Sequence, residues 1–311
     1  MDPLIYALAR TLVAFIQALP LTAAARFGRA LGALAFHLSA RYRRVTLQNL
    51  TMCFGGEKSP AEIRELARQN FRNIGETYVC AIKTAAMTWE QLKPHVEFVR
   101  AEHLPQKKGD APLPNIIIAI GHFGNFELNA RFHDIRPDYQ CATTYRALKQ
   151  QALNRLMQTL RKNTGCLYFE RRTDGPLLRA ALQQGGIILG LLADQSSKGL
   201  RAPFLGHDCD TGLAPAVLAL RYQTELYTAF CFRAALGKWR LELGQKIETH
   251  ENGHPRSSAD IMRDVNRSFE GAIRRDPANW FWVHRRWKNT APNKPKIEDG
   301  GVMMEAGKKL P

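Results

Sequence analysis

The sequence predicts an α/β protein built on a mixed, mainly parallel β-sheet that is flanked by helices. The first indication is residues 115–120, which include three consecutive isoleucines between Pro114 and Gly121 and are typical of a strand buried on both faces. The second is a strand–helix–strand rhythm, which indicates a parallel sheet. The third is a later pair of apolar runs around Gly237, which predicts a hairpin or two adjacent strands. The rhythm covers residues 165–169, 174–184 and 187–193, and the pair covers residues 226–232 and 239–243.

Residues 1–45 are predicted to form an N-terminal helical membrane anchor. Residues 4–19 are largely apolar, but Arg10 and Gln17 interrupt them and share one face of a helix. The stretch is short for a bilayer span, which takes about 20 apolar residues. The sequence therefore favours a helix that lies in the membrane interface or a marginal, tilted span, with the arginines that follow held to anionic lipid on the cytoplasmic side. The alternative is an ordinary helix packed on the protein core.

Residues 46–288 are predicted to form the main domain. Its first helix begins with a capping-box pattern, in which Ser59 and Glu62 satisfy each other's backbone amides. Its last helix carries apolar residues at helical intervals and stops before Pro277. Residues 289–311 have little to bury and are predicted to be a disordered tail. The helices are predicted at residues 60–82, 147–161, 211–222 and 258–275.

The composition predicts anionic partners. The chain has 44 Lys and Arg residues against 28 Asp and Glu residues, a formal net charge of +16. Nucleic acid, phospholipid headgroups, a phosphorylated substrate or an acidic carrier protein would all suit this excess, and a generally basic surface is the alternative. The six cysteines include no Cys-x-x-Cys pair, and the sequence contains no Gly-rich phosphate-binding pattern. We therefore expect no metal site, no disulfide framework and no cofactor.

A histidine and a glutamate follow the isoleucine-rich strand directly, within residues 121–127. In open α/β sheets, catalytic groups lie at the carboxyl ends of strands. Asn125 is expected to cap a helix, which leaves His122 in the loop and puts Glu127 in the first turn. A carboxylate that fixes the imidazole tautomer lets the other ring nitrogen take a proton from an attacking hydroxyl. The pair thus predicts acyl transfer to a hydroxyl, and a structural histidine capped by a nearby acid is the alternative.

Three further residues are candidates for substrate binding. Asp194 and Gln195 end a second buried strand, on the edge of the sheet where His122 is expected. They would there position an acceptor hydroxyl or a phosphate-bearing headgroup, although an aspartate that only caps a turn is the alternative. Arg146 offers a guanidinium group, whose planar geometry suits bidentate contact with phosphate.

Residues 280–287 alternate aromatic and basic side chains. The pattern favours either an aromatic belt at a membrane interface or a final strand with Trp280, Trp282 and His284 on one face. A nucleic-acid stacking platform is a third interpretation. Since no acid lies near His284 in the sequence, we expect a structural role for it rather than a second catalytic base.

The block at residues 121–127 resembles the signature of the bacterial lipid A late acyltransferases, the lauroyl/myristoyl acyltransferase family, in which His-x-x-x-x-Asp/Glu is catalytic. Phe126 stands where the family has tryptophan. Three further blocks resemble the family in the same order, and the resemblance runs from about the N-terminus to Lys288. Four ordered blocks are more specific than one spaced pair. The three further blocks are Thr144-Tyr145-Arg146, residues 192–195 and residues 279–288.

The resemblance implies a glycerolipid-acyltransferase-like fold and the transfer of a fatty acyl chain from acyl carrier protein to a hydroxyl of a lipid A precursor. It implies that His122 is the general base, that Glu127 orients it, and that Asn125 with nearby backbone amides stabilises the oxyanion. An acidic carrier and a phosphorylated lipid would both account for the positive charge, with no nucleic acid involved. The resemblance also favours the cytoplasmic face of the bacterial inner membrane.

Two other functions fit the same residues. The His122 and Glu127 pair serves any hydroxyl acceptor, so an acyltransferase for another glycolipid or a glycerophospholipid is the first alternative. A basic nucleic-acid-binding protein is a remote one, and it predicts a basic patch away from His122.

Overall fold

A computed structural model describes residues 2–107 and 113–288 of the chain. The predicted tail, residues 289–311, lies outside the described residues. The helices are α1 (Asp2–Ala18), α2 (Leu21–Leu38), α3 (Ala40–Phe54), α4 (Pro60–Thr84), α5 (Trp89–Leu92), α6 (Phe132–Ile135), α7 (Gln151–Arg161), α8 (Gly175–Gln184), α9 (Ala214–Arg221) and α10 (Ser258–Arg275). The strands are β1 (Val96–Val99), β2 (Ile116–Ile120), β3 (Gln140–Tyr145), β4 (Leu167–Glu170), β5 (Ile187–Leu192), β6 (Ser196–Phe204), β7 (His207–Thr211), β8 (Glu225–Ala235), β9 (Lys238–Ile247), β10 (His250–Glu251) and β11 (His254–Pro255).

The central sheet has the strand order β1-β9-β8-β2-β5-β3-β4. The five strands from β8 to β4 are mutually parallel, β8 and β9 form an antiparallel hairpin, and β1 runs parallel to β9. The predictions of a mixed, mainly parallel sheet and of a hairpin around Gly237 are therefore confirmed. Strands β6 and β7, and β10 and β11, form two separate two-stranded sheets.

Strand β2 lies in the middle of the sheet, between β5 and β8, and each of its residues is buried. Successive side chains of a strand point to opposite faces. Ile117 and Ala119 accordingly join the hydrophobic cluster that contains α10, whereas Ile116, Ile118 and Ile120 join the cluster on the other face. Burial on both faces is the reason that this strand has no polar alternation.

The predicted helices of the main domain are confirmed, with shifts of a few residues at their ends. The capping box of α4 is present, since the Ser59 hydroxyl accepts from the Glu62 amide and the Glu62 carboxylate accepts from the Ser59 amide. The segment after Asn125 differs from its prediction. It forms a 3₁₀ helix over Phe126–Arg131 before the short helix α6, and the Asn125 amide nitrogen donates to the Thr84 hydroxyl of α4 at 3.2 Å. The prediction that Asn125 caps an α-helix is wrong, because its side chain is used in this contact between elements.

Helix α2 packs closely on α4 through glycines of both helices. A Cβ atom on Gly32 would lie 2.1 Å from the Phe71 carbonyl oxygen, and one on Gly75 would lie 2.1 Å from the Gly28 carbonyl oxygen. At the same contact, Arg29 pairs with the fully buried Glu76 at 3.3 Å. Absence of a side chain at these positions is what allows the two backbones to approach.

None of the helices within residues 2–107 and 113–288 is long and apolar enough to cross a membrane. The prediction of a marginal, tilted span is therefore wrong. Helix α1 has 17 residues, and Ile16 on its inner face is buried. Leu4, Leu8, Leu12 and Phe15, which recur at helical spacing, are exposed.

Replacing Gly32 by Ala should destabilise the protein by about 1–3 kcal/mol, the usual cost of forcing extra volume into a packed contact. The new methyl group would meet backbone atoms of Phe71, which cannot rotate away. Thermal unfolding followed by circular dichroism measures the effect. Gly56→Ala is the matched control, since a Cβ there would meet no described atom within 4 Å. Equal melting temperatures for the two variants would contradict the proposed role of the helix contact.

Candidate active site

The parallel pairing of β2 and β5 brings two site residues together. Ile120 is the register partner of Leu192, each is the last residue of its strand, and a candidate site residue lies two positions further along the chain in both cases. Those residues are His122 and Asp194. The prediction that they share one edge of the sheet is confirmed, and their equal distance beyond the paired residues places them in direct contact.

The Asp194 carboxylate accepts two hydrogen bonds from His122. Its Oδ1 is 2.5 Å from His122 Nδ1, and its Oδ2 is 2.6 Å from the His122 backbone nitrogen. Trp280 Nε1 donates to the same Oδ2 at 2.7 Å. Burial alone would raise the pKa of Asp194, but the charge of His122 and the three donors outweigh burial and hold this pKa below its usual value. An ionised Asp194 requires the proton of the His122 ring to be on Nδ1, which leaves Nε2 as the acceptor.

The exposed side of the His122 ring faces a polar amide and two aromatic rings. Gln195 Nε2 lies 3.3 Å from His122 Nε2, the geometry of an amide N–H donating to an unprotonated ring nitrogen. Phe126 and Phe281 flank the imidazole, with ring centroids at 4.9 Å and 5.8 Å. Since the His122 side chain keeps only 13% of its exposure, its imidazole is partly dehydrated.

His284 lies in the same cavity but is held by the backbone. Its Nε2 accepts from the Ser196 amide at 3.2 Å. Burial, with a smaller contribution from the charge of His122, holds the pKa of His284 below its usual value, although Asp194 acts in the opposite direction. A neutral histidine whose free nitrogen is already occupied agrees with the structural role that the sequence predicts.

Glu127 is turned away from the position that the sequence predicts for it. Its Oε1 accepts from Arg161 Nη2 at 2.8 Å, so the carboxylate that orients His122 is Asp194 and not Glu127. Arg161 also lies over the rings of Tyr145 and Tyr168, at 5.6 Å and 4.9 Å from their centroids. The prediction of a direct His122–Glu127 contact is wrong in this structure because Arg161 offers Glu127 a charged partner.

Asn125 and Arg146 occupy very different places. Asn125 is fully buried against α4 and is not among the described residues that line the cavity. The resemblance implies that Asn125 stabilises the oxyanion, but its side chain lies outside the cavity in which the oxyanion would form. Arg146 is exposed at the end of β3 and lines the cavity, as do Glu127 and Gln195.

The cavity beside His122 has a volume of about 1330 Å³. It opens along the carboxyl ends of β2, β3 and β5 and combines apolar walls with a basic rim. The rim residues with exposed side chains are Arg146, Arg171, Arg172, Lys198 and Lys288.

The aromatic block at residues 280–287 is part of the core. Trp280, Trp282 and Trp287 are buried, and Trp280 joins Phe123 in an isolated antiparallel bridge. The described part of this block, which reaches residue 288, otherwise forms turns and not a strand. The predictions of an interfacial belt and of a final strand are therefore wrong.

Two residues of the site escaped sequence analysis. Trp280 acts on Asp194 from 86 positions away, and Arg161 acts on Glu127 from 34 positions away. Neither separation leaves a periodic or local signal. The ordered arrangement of the family's blocks was the only clue that the C-terminal tryptophans belong with the histidine.

A histidine held by a buried carboxylate, beside a large cavity at the strand ends of an α/β sheet, is an arrangement suited to general-base catalysis. Comparison of the sequence identifies the family. Residues 3–289 match the family described as bacterial lipid A biosynthesis acyltransferase. The chain belongs to this family, and it is an enzyme of acyl transfer in lipid A biosynthesis.

The chain is similar to two lipid A biosynthesis enzymes. The lipid A biosynthesis palmitoleoyltransferase of Escherichia coli (strain K12) is 23% identical over 266 residues, which cover 84% of this chain and 83% of that protein. The lipid A biosynthesis acyltransferase of Shigella flexneri shows the same identity and coverage.

Replacing Asp194 by Asn should lower kcat by about 10²–10⁴-fold, the scale of general-base catalysis. Asn keeps the size of the side chain and still accepts from the Trp280 and His122 amide nitrogens. Its NH₂ group, however, would face His122 Nδ1 and favour the tautomer with the proton on Nε2, which cannot act as a base. Steady-state acyl transfer by purified protein is the measurement.

Glu127→Gln is the comparison variant, because it removes a carboxylate from the same cavity without touching His122 Nδ1. We expect it to lose less activity than Asp194→Asn. A larger loss in Glu127→Gln would restore Glu127 as the residue that orients the base.

Proposed function

We propose that this protein transfers a fatty acyl chain from acyl carrier protein to a hydroxyl of a lipid A precursor, at the cytoplasmic face of the bacterial inner membrane. The observation that carries the proposal is His122, whose Nδ1 is held by Asp194 while Nε2 lies at the wall of the cavity. A base so placed acts directly on a bound hydroxyl and needs no nucleophile from the protein.

The reaction begins when His122 Nε2 removes the proton from the acceptor hydroxyl. The hydroxyl oxygen attacks the thioester carbonyl of the donor, a C–O bond forms, and the carbonyl oxygen takes the negative charge. Collapse of this tetrahedral intermediate breaks the C–S bond, and the proton on His122 passes to the leaving sulfur. Asp194 remains ionised throughout and stabilises the imidazolium.

Gln195 is the side chain best placed to stabilise the oxyanion. Its amide nitrogen lies 3.3 Å from His122 Nε2 in the free site. When the acceptor hydroxyl takes up the contact with Nε2, the Gln195 N–H groups become available to the carbonyl oxygen next to it. A preorganised donor at this point lowers the energy of the intermediate more than that of the ground state.

Glu127 supports the site in this proposal by holding Arg161. The two charged groups contact each other at 2.8 Å in the cavity wall, and both side chains are largely shielded from solvent. Arg161 in turn packs on Tyr145 and Tyr168. We therefore treat Glu127 as a positioning residue for the wall that the substrate contacts.

Charge complementarity supports an acidic donor and a phosphorylated acceptor. The basic rim of the cavity lies beside His122, and the whole chain carries a net charge of +16. Arg146 has the planar group that suits a phosphate in this rim. If the protein bound nucleic acid, we would expect its basic patch to lie away from His122. The rim instead lies beside His122, which favours binding of the enzyme's own anionic substrates.

The apolar face of α1 supports attachment to the membrane interface. Leu4 and Leu8 keep 67% and 64% of their exposure, and α2 adds Leu34 and Leu38 as further exposed leucines. An amphipathic helix of this kind inserts its apolar face at the boundary between headgroups and acyl chains. Tyr78 of α4 is exposed as well as part of the cavity wall, so the cavity opens close to the N-terminal helices.

We expect purified protein to add one acyl chain to a lipid A precursor when supplied with acyl carrier protein that bears a fatty acyl thioester, as measured by mass spectrometry of the lipid product. His122→Ala should lower the rate by about 10²–10⁴-fold because the base is lost. His103→Ala is the matched control, since His103 is a solvent-exposed histidine that does not belong to the described cavity wall. Near-normal transfer by His122→Ala would refute the mechanism.

The same assay separates the alternatives. Acyl-CoA replaces the carrier-bound donor in one arm, and a lysophospholipid replaces the lipid A precursor in another. Faster transfer to the lysophospholipid than to the precursor would establish the glycerophospholipid alternative in place of the proposed function.

Replacing Leu4, Leu8 and Leu12 by Ser should weaken binding to vesicles that contain anionic lipid by about tenfold or more, because three apolar side chains no longer leave water. Co-sedimentation with the vesicles is the measurement. The matched control is the pair Leu177→Ser and Val217→Ser, which removes exposed apolar side chains from α8 and α9. If the control pair weakens binding as much as the α1 variant, the attachment does not depend on α1.

A further inference from the structure

The cavity at the strand ends continues down one face of the sheet. From β2 it reaches Ile118 and Ile120, which belong to the same face, and its deepest residues on the neighbouring strands are Cys141 and Ile188. Cys141 and Ile188 are register partners on β3 and β5. Ile188 precedes Leu192 by four residues on β5, so this pair lies about 13 Å from the end of the strand at the usual rise per residue.

Gly190 leaves room on this face of the sheet for the side chain of Ile120, which lines the channel. Gly190 lies on β5 between Ile118 of β2 and Thr143 of β3, as the register partner of both. Glycine in a strand interior usually marks a place where something must approach the backbone closely. A Cβ atom at this position would lie 2.7 Å from Ile120 Cδ1, so a larger residue here would push the Ile120 side chain toward the channel.

The channel walls suit a hydrocarbon chain. Ile118, Ile120 and Ile188 form the sheet side, and Ala130 and Phe132 come from the segment that covers it. The thiol of Cys141 is uncharged, since burial raises its pKa to about 12. The hydroxyl of Thr143 is already bonded to the Gly190 carbonyl oxygen at 2.8 Å. An apolar, uncharged surface that runs from His122 down to Cys141 and Ile188 suits one extended alkyl chain.

We infer that this channel, which we call the Gly190 channel, holds the tail of the acyl chain that is transferred, and that Gly190 and the floor residues Cys141 and Ile188 limit its length. The inference rests on the proposed function. The thioester carbonyl must lie beside His122 and Gln195, so the tail attached to it enters the channel at its upper end. The acceptor, with its bulky headgroup, remains in the wide part of the cavity.

The test uses the full-length enzyme and a series of saturated donors from octanoyl to palmitoyl on acyl carrier protein. Gly190→Ala and Gly190→Val should lower kcat/KM for the longest donor accepted by the unaltered enzyme by about tenfold or more, the scale of an overpacked apolar site. Shorter donors should be used as well as before. Ile120 Cδ1 is the end of a flexible side chain, which can rotate to admit the new methyl group.

A second variant is expected to change the donor preference in the opposite direction. It keeps the inference testable if the Gly190 variants do not fold. Ile188→Val removes one methyl group from the floor with little cost to the core, and it should move the preference toward longer donors. Gly271→Ala on α10 is the matched control, since a Cβ there would meet no described atom within 4 Å and Gly271 is outside the described cavity wall. It should leave the donor profile unchanged.

An unchanged profile in the Gly190 and Ile188 variants, with normal transfer by the unaltered enzyme, would overturn the inference. So would a shift that follows the acyl chains of the acceptor and not those of the donor. Absence of transfer by the unaltered enzyme with every donor would instead refute the proposed function, so the two failures are distinguishable.

Discussion

The geometry of the candidate active site depends on the hydrogen bonds made to one buried carboxylate, that of Asp194. Asp194 is fully removed from solvent, and an unpaired carboxylate in that position would be strongly unfavourable. Three N–H groups converge on it, two from His122 and one from Trp280. His122 follows β2, Asp194 follows β5 and Trp280 belongs to the C-terminal block. The hydrogen bonds of the Asp194 carboxylate therefore hold these three parts of the chain together.

Asparagines of α3 and α4 also bind the C-terminal block. Asn70 of α4 donates to the carbonyl oxygens of Ala278 and Trp280, and Asn49 of α3 donates to those of Trp282 and His284. These bonds satisfy carbonyl groups of a segment that contains neither an α-helix nor a strand, as buried backbone requires. The helices at the start of the chain therefore belong structurally to the catalytic unit.

The sequence correctly predicts the features that depend on residues close together along the chain. The isoleucine-rich strand, the capping box of α4 and the apolar spacing of α10 all depend on neighbours within a few positions, and each was confirmed. The partner of His122 was missed because Glu127 is five positions away in the sequence whereas Asp194 is 72 positions away, and only the register of β2 on β5 shows which is closer. The tryptophan block was misjudged because its alternation suggests a strand, while the indole rings in fact pack on one another in the core.

The long separation between Asp194 and Trp280 has a consequence for synthesis of the chain. On the ribosome, the strands that carry His122 and Asp194 emerge well before the tryptophan that donates to the carboxylate, and chains fold progressively from the N-terminus. Until Trp280 has been translated, the carboxylate lacks one of its three donors. A chain that stops before Trp280 thus contains both His122 and Asp194 but lacks the indole N–H that satisfies the buried carboxylate, so the His122–Asp194 contact depends on a residue translated long after both of them.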